Sequence, residues 1–129
     1  MKGACPCGRP ASFEACCGRY IADLENTPAP DAESLMRSRY SAYVLANVDY
    51  LLATWDAAHR PHELALDADA TWLGLEVRGH RSIDPFHAEV EFVARYRPSP
   101  GFGQAVRMHE CSRFVQENGR WFYVDGDML

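Results

Sequence analysis

The sequence predicts an α+β fold in which short helices come first and an antiparallel sheet follows. Three observations carry this. Met36, Tyr40, Tyr43 and Val44 recur at helical spacing in the first half of the chain. From Thr71 onward, apolar and polar residues alternate as in half-buried strands. Four of the five cysteines crowd into the first 17 residues, apart from both patterns. With 129 residues the chain is long enough for about one domain, plus a small unit held by something other than a core.

Residues 1–26 hold few apolar groups beyond Phe13, Tyr20, Ile21 and Leu24, too few for a self-standing core. Ser12 is the expected cap of a short helix carrying Cys16 and Cys17. Asn26-Thr27-Pro28-Ala29-Pro30 reads as a turn or linker. The expected organisation is a small segment at 1–26, a linker at 27–30 and an α+β unit at 31–129. Asp31 caps the first long helix, with Glu33 in its first turn. Asn47-Val48-Asp49 interrupts it, and Asp49 is the expected cap of a second short helix with Leu51, Leu52 and Trp55 facing inward. Pro61 ends any helix before it. Residues 62–70 carry no clear pattern.

Thr71 to Arg78 reads as a strand around Leu73, Leu75 and Val77. Ala88, Val90, Phe92, Ala94 and Tyr96 alternate with His87, Glu89, Glu91 and Arg95 in a second. Arg97 to Gly103 is a loop, and Gln104 to Glu117 is long enough for a strongly curved strand. Asn118-Gly119 favours a type I′ hairpin turn, from which Arg120 to Asp125 returns. A sheet that curls around an N-terminal helix makes a cone with one open end.

The cysteine run is C-P-C-G-R-P-A-S-F-E-A-C-C, two close pairs with eight residues between them. Cys5, Cys7, Cys16 and Cys17 can supply the four soft donors that zinc takes in a tetrahedron. A set of four cysteines leaves no open coordination position, so a structural zinc is expected. The alternative is a pair of disulfides. Met1-Lys2-Gly3-Ala4-Cys5 leads into no apolar run, so an export signal is not expected and a cytoplasmic location is. There the thiols stay reduced. Cys111, alone, is read as a packed thiol.

Charge narrows the partners. The sum of 13 basic and 18 acidic residues is −5, which argues against nucleic acid. Within residues 1–30, Lys2, Arg9 and Arg19 are cancelled by Glu14, Asp23 and Glu25. No run of 18 apolar residues is present, so no membrane span is expected. Gly101-Phe102-Gly103 lacks the setting of a phosphate loop. His59, His62, His80 and His87 have no metal spacing.

In the strand 104–117, Val106, Met108, Glu110, Ser112 and Phe114 share one face. That face is the more apolar one and is expected to line the cone. Glu110 is then a carboxylate among apolar neighbours, which costs free energy unless it is paired or protonated. Arg37 or Arg39 of the first helix is its expected ion-pair partner. If the cone holds a pocket, its candidate residues are Arg37, Tyr40, Tyr43, Trp55, Glu110 and Ser112. Glu110 is the one candidate general acid or base.

Cys5-Pro6-Cys7-Gly8 with Cys16-Cys17-Gly18 resembles the SEC-C motif, a zinc segment also found at the C-terminus of the secretion motor SecA. Arg9 and Pro10 replace the usual Ser-Gly, and Phe13 supplies the usual aromatic. Residues 35–43 (Leu-Met-Arg-Ser-Arg-Tyr-Ser-Ala-Tyr), Tyr50 to Trp55, Glu89 to Phe92, His109-Glu110, and Gly119-Arg120-Trp121 with Tyr123, Asp125 and Gly126 resemble the YchJ-like family. That resemblance implies a SEC-C segment followed by a nuclear-transport-factor-two-like cone. It also implies a protein partner for the zinc segment, because the similar segment of SecA contacts an export chaperone. Two function classes follow. One is a zinc-binding adaptor or binding protein, whose cone either holds a small apolar ligand or simply supports the zinc segment. The other is an isomerase, dehydratase or hydrolase-like enzyme using Glu110, as some cones of this type place a carboxylate in an apolar cavity.

Overall fold

The structure, a computed structural model, describes residues 4–66, 70–98 and 104–129. Its elements are α1 (Cys17–Ala22), α2 (Ala32–Val44), α3 (Val48–Ala53), β1 (Thr71–Asp84), β2 (His87–Arg97), β3 (Val106–Glu117) and β4 (Arg120–Met128). The strands form one antiparallel sheet in the order β1-β2-β3-β4, each paired with its sequence neighbour. The sheet curves around α2, as a helices-then-meander sequence implies. Lys2 and residues 99–103 of the expected loop lie outside the described residues.

α2 starts where the cap chemistry says. Asp31 is extended, and its Oδ1 accepts from the Ser34 N–H at 2.7 Å. α3 starts two residues earlier than expected. Asn47, not Asp49, is its N-cap and accepts from the Tyr50 N–H at 3.0 Å. Asp49 sits instead in the first turn, where its negative charge complements the positive end of the helix dipole. Ser12 accepts from Ala15 N–H at 3.3 Å, so it caps the turn before α1, and Cys16 is the N-cap of α1.

β1 runs on to Asp84, six residues beyond the expected end at Arg78, because it pairs with β2 as far as His87. A bulge between Trp72 and Gly74 turns Leu73 outward, where it is 42% exposed. Trp72, Leu75 and Val77 take the inner face, opposite Tyr96, Ala94 and Phe92. Asn118 and Gly119 have φ of 53° and 78°, the two left-handed residues of a type I′ turn.

The core joins α2 and α3 to the inner face of β2 and β3. Leu35, Leu51, Val90, Ala94 and Phe114 are its most buried apolar members. Tyr20 of α1 and Ala29 between α1 and α2 belong to the same cluster. α2 is therefore buried on several faces. Met36, Arg39, Tyr40 and Tyr43 look towards the sheet, Ser38 bonds the Tyr50 hydroxyl at 2.7 Å, and Arg37 and Ser41 meet the N-terminal segment. Among the described residues, no helix is long and apolar enough to cross a membrane.

Candidate metal centre and cone cavity

The N-terminal segment is a small hairpin followed by a helix start. Ala4 bridges Ser12, and the Cys5 N–H donates to the Ala11 carbonyl at 2.8 Å. Gly8, at φ 95°, turns the chain so that its N–H donates to the Cys5 carbonyl at 3.1 Å. The Phe13 carbonyl accepts from both Cys16 and Gly18, which sets Cys16 and Cys17 facing the hairpin.

The result is a cluster of four thiols, each no more than 3% exposed, with all four sulfurs within 4.8 Å of one another. Cys7 and Cys16 Sγ are 3.7 Å apart. A disulfide would need about 2.05 Å, whereas the edge of a tetrahedron with metal–sulfur bonds of about 2.3 Å is about 3.8 Å. The set can hold a metal ion, and its spacing suits tetrahedral thiolate coordination. The Cys17 thiol, hydrogen-bonded to the Cys7 sulfur, brings the Cys7 thiol down to about 4, while the same bond and burial push Cys17 up.

Basic groups surround this cluster. The Arg9 backbone N–H points at the Cys7 sulfur. Arg37 Nη1 donates to the Cys7 carbonyl at 2.7 Å, and its Nε pairs with Glu33 at 2.9 Å. Arg9 reaches Glu33 at 3.4 Å and Ser34 Oγ at 3.2 Å. Cys5 Sγ lies 3.6 Å from Ser41 Oγ.

Across α2, the cone encloses a cavity of about 320 Å³. Tyr40, Tyr43, Trp55, Glu110 and Ser112 line it; Arg37, on the opposite side of α2, does not. Val106 lies at the strand end, 38% exposed, rather than inside. The expected ion pair is not formed by either arginine. Arg37 is held at the metal centre. Arg39 spends Nη1 on the Leu51 carbonyl at 2.7 Å and Thr54 Oγ1 at 2.8 Å. Glu110 is held by hydroxyls instead: Ser112 and Tyr123 both donate to its Oε2, the latter at 3.2 Å. Burial and the Glu110 charge push the Tyr123 phenol up, so it keeps its proton and stays a donor.

Two groups of this site escape the sequence reading, Gly126 and Arg39. Tyr123 and Gly126 both face inward, three residues apart, because β4 bulges between their pairings with Phe114 and Ser112. Unbroken register from the Asn118-Gly119 turn puts Tyr123 opposite Phe114 and inside, but would have put Gly126 outside. Arg39 lines the cavity with its guanidinium stacked 5.1 Å from the Trp55 ring centre and 4.7 Å from that of Tyr123. The residue spacing carries no signal for the bulge. The Trp72–Tyr96 wall, with ring centres 5.0 Å apart, follows from the bulge in β1.

Comparison with known proteins agrees with both halves of the chain. A family described as the YchJ middle NTF2-like domain matches residues 31–126. A UPF0225 protein from Polaromonas sp. is 62% identical over 98% of this chain and 95% of its own length. Another from Bordetella parapertussis is 56% identical over 97% of this chain and 92% of its own. The solution structure of a SEC-C motif containing protein from Rhodopseudomonas palustris superimposes with a TM-score of 0.84, at 35% identity, over 97% of this chain and 98% of that one. The crystal structure of a SEC-C motif containing protein from Psychrobacter arcticus gives 0.76 at 32% identity, over 94% and 80%. With its four-cysteine centre ahead of a curved-sheet cone, this chain belongs to the YchJ-like UPF0225 family of SEC-C motif proteins.

Proposed function

We propose that the protein is a cytoplasmic zinc-binding adaptor whose cone receives a small, largely apolar molecule. The observation that carries the reading is the cavity of about 320 Å³, walled by aromatic rings and open to a ligand rather than filled by side chains. Cys5, Cys7, Cys16 and Cys17 hold the zinc. It is structural, because all four positions of a tetrahedron are taken by buried thiolates. The zinc segment contacts a protein partner. The resemblance to the SecA segment supports this, as does a shallow groove beside α1 framed by Phe13, Arg19, Ala22 and the exposed Leu45.

One observation favours a second reading, an isomerase, dehydratase or hydrolase-like enzyme. The Glu110 carboxylate borders the cavity without an arginine ion pair, so a ligand can reach a group that transfers protons. Native mass spectrometry of protein purified from its source tests both. One zinc per chain and a retained, chemically unaltered small molecule are the expected result. A metal-free chain with two disulfides would refute the zinc assignment, and recovery of a converted ligand would favour the enzyme.

A further inference from the structure

We infer that the cone cavity selects a neutral, planar, two-ring compound whose edge carries a hydrogen-bond donor beside an acceptor, as in a bicyclic lactam. This rests on the reading that the cone receives a small molecule and specifies which chemistry it has. The size comes first. At about 30 Å³ per water, a cavity of about 320 Å³ has room for one such molecule and little more. Its walls are flat. Trp72 lies 5.0 Å from Tyr96 and 5.5 Å from Tyr40, centre to centre, and these faces favour an aromatic guest.

The polar groups then choose the edge. Arg39 is 5% exposed, and its guanidinium lies 5.1 Å from the Trp55 ring centre and 4.7 Å from that of Tyr123, two rings that are themselves 5.0 Å apart, so it lines one aromatic corner of the cavity with N–H groups to offer. Nη1 is committed to Leu51 and Thr54. Glu110 takes both protein hydroxyls on Oε2, leaving Oε1 to accept from a guest. Among the described residues no fully buried side-chain nitrogen or oxygen lacks a partner, so the remaining capacity of both groups faces accessible space. The two charges meet at Tyr123, whose hydroxyl donates to Glu110 at 3.2 Å and whose ring centre lies 4.7 Å from the Arg39 guanidinium. A carboxylate drawn to Arg39 meets Glu110, and an ammonium drawn to Glu110 meets Arg39. Neither ion recovers the cost of leaving water. A neutral edge that donates to Glu110 and accepts from Arg39 satisfies both without bringing a charge.

Four probes of one size decide this: carbostyril (a bicyclic lactam), quinoline (an acceptor alone), naphthoate and naphthylmethylammonium. Each is titrated into the full metal-loaded chain at neutral pH and followed by tryptophan fluorescence, since Trp55 and Trp72 line the cavity. Carbostyril is expected to bind at least tenfold more tightly than either ion. Glu110→Gln should raise naphthoate affinity at least tenfold, because Arg39 is then unopposed, and should weaken naphthylmethylammonium. Glu117→Gln removes an exposed carboxylate at the end of β3, outside the cavity, and should keep the original order. Naphthoate binding as tightly as carbostyril, or an order unchanged in Glu110→Gln, would overturn the inference. Equal binding of all four probes would end the lactam selection and leave the ligand-binding reading standing. No binding at millimolar concentration would end both. Should Glu110→Gln not fold, the order of the four probes on the unaltered chain still decides.

Discussion

Gly126 has no side chain, and Glu110 occupies the space that one would fill. A Cβ at Gly126 would lie 2.7 Å from Glu110 Cδ and 2.9 Å from its Cγ. Gly126→Ala must therefore push the carboxylate off the hydroxyls of Ser112 and Tyr123. Ser112 is 1% exposed and would lose the acceptor of its hydroxyl. The expected loss is about 1–3 kcal/mol, from crowding together with the stranded donor, read as a lower urea midpoint at constant slope. Glu110→Gln behaves differently, because its amide oxygen can still accept both hydroxyls. It should cost about 1 kcal/mol, far less than the 3–5 kcal/mol typical of breaking a buried ion pair. Strong destabilisation by Gln combined with a harmless Gly126→Ala would show that an arginine, not the hydroxyls, holds Glu110.

At the scale of elements, α2 links the two sites, and Arg39 ties it to α3. Its Nη1 reaches the Leu51 carbonyl in the last turn of α3 and the Thr54 hydroxyl just beyond. A cation there also complements the helix dipole. Arg39→Met keeps the length and loses both bonds, so it should cost about 2–3 kcal/mol in thermal or urea unfolding; an unchanged midpoint would mean that the stacking on Trp55 and Tyr123 suffices. α1 has a different constraint. A Cβ at Gly18 would lie 2.7 Å from the Phe13 carbonyl, the acceptor that positions Cys16. Gly18→Ala should weaken metal binding at least tenfold against a chromophoric chelator and leave the circular dichroism of the sheet intact. Unaltered competition would show that the loop can shift without moving its sulfurs. Much of this was legible before the structure. Asp31 announces α2, alternation announces β2, Asn118-Gly119 announces the last hairpin, and the cysteine spacing announces the metal cluster. The bulges in β1 and β4 were not read from the sequence, although Gly74 and Gly79 stand at two of those in β1 and an isolated glycine in a strand pattern is a bulge signal. They decide that Leu73 faces out and Gly126 in. Arg37 and Arg39, two residues apart on one helix, could not be told apart either. Which of them meets the cavity depends on where the sheet packs, a tertiary fact.

For the molecule as a whole, the question is how far the metal segment and the cone stand or fall together. The cysteines form a cluster distinct from the main core, and among the described residues only Ile21 and Leu75 pack against both. Polar contacts add to these: Arg37 to the Cys7 carbonyl, Arg9 to Glu33 and Ser34, and Cys5 to Ser41. Tyr20 inserts into the cone core. A metal held by the four cysteines would supply most of the order of the segment, since a site of this kind is worth on the order of 10–16 kcal/mol of apparent binding free energy. The cone keeps Leu35, Leu51, Val90 and Phe114 buried without help from the cysteines. Chelation should therefore release amides in residues 5–22 to hydrogen exchange and loosen the neighbouring face of α2 around Ser41. β2 and β3 should stay protected. Acid should act in the same order, because protons compete with the metal for the thiolates and drive it off as pH falls. Exchange mass spectrometry before and after chelation reads both regions at once. If β2 and β3 lose protection together with the cysteine segment in one transition, the metal centre and the cone are a single cooperative unit, and 1–26 is not a separable segment.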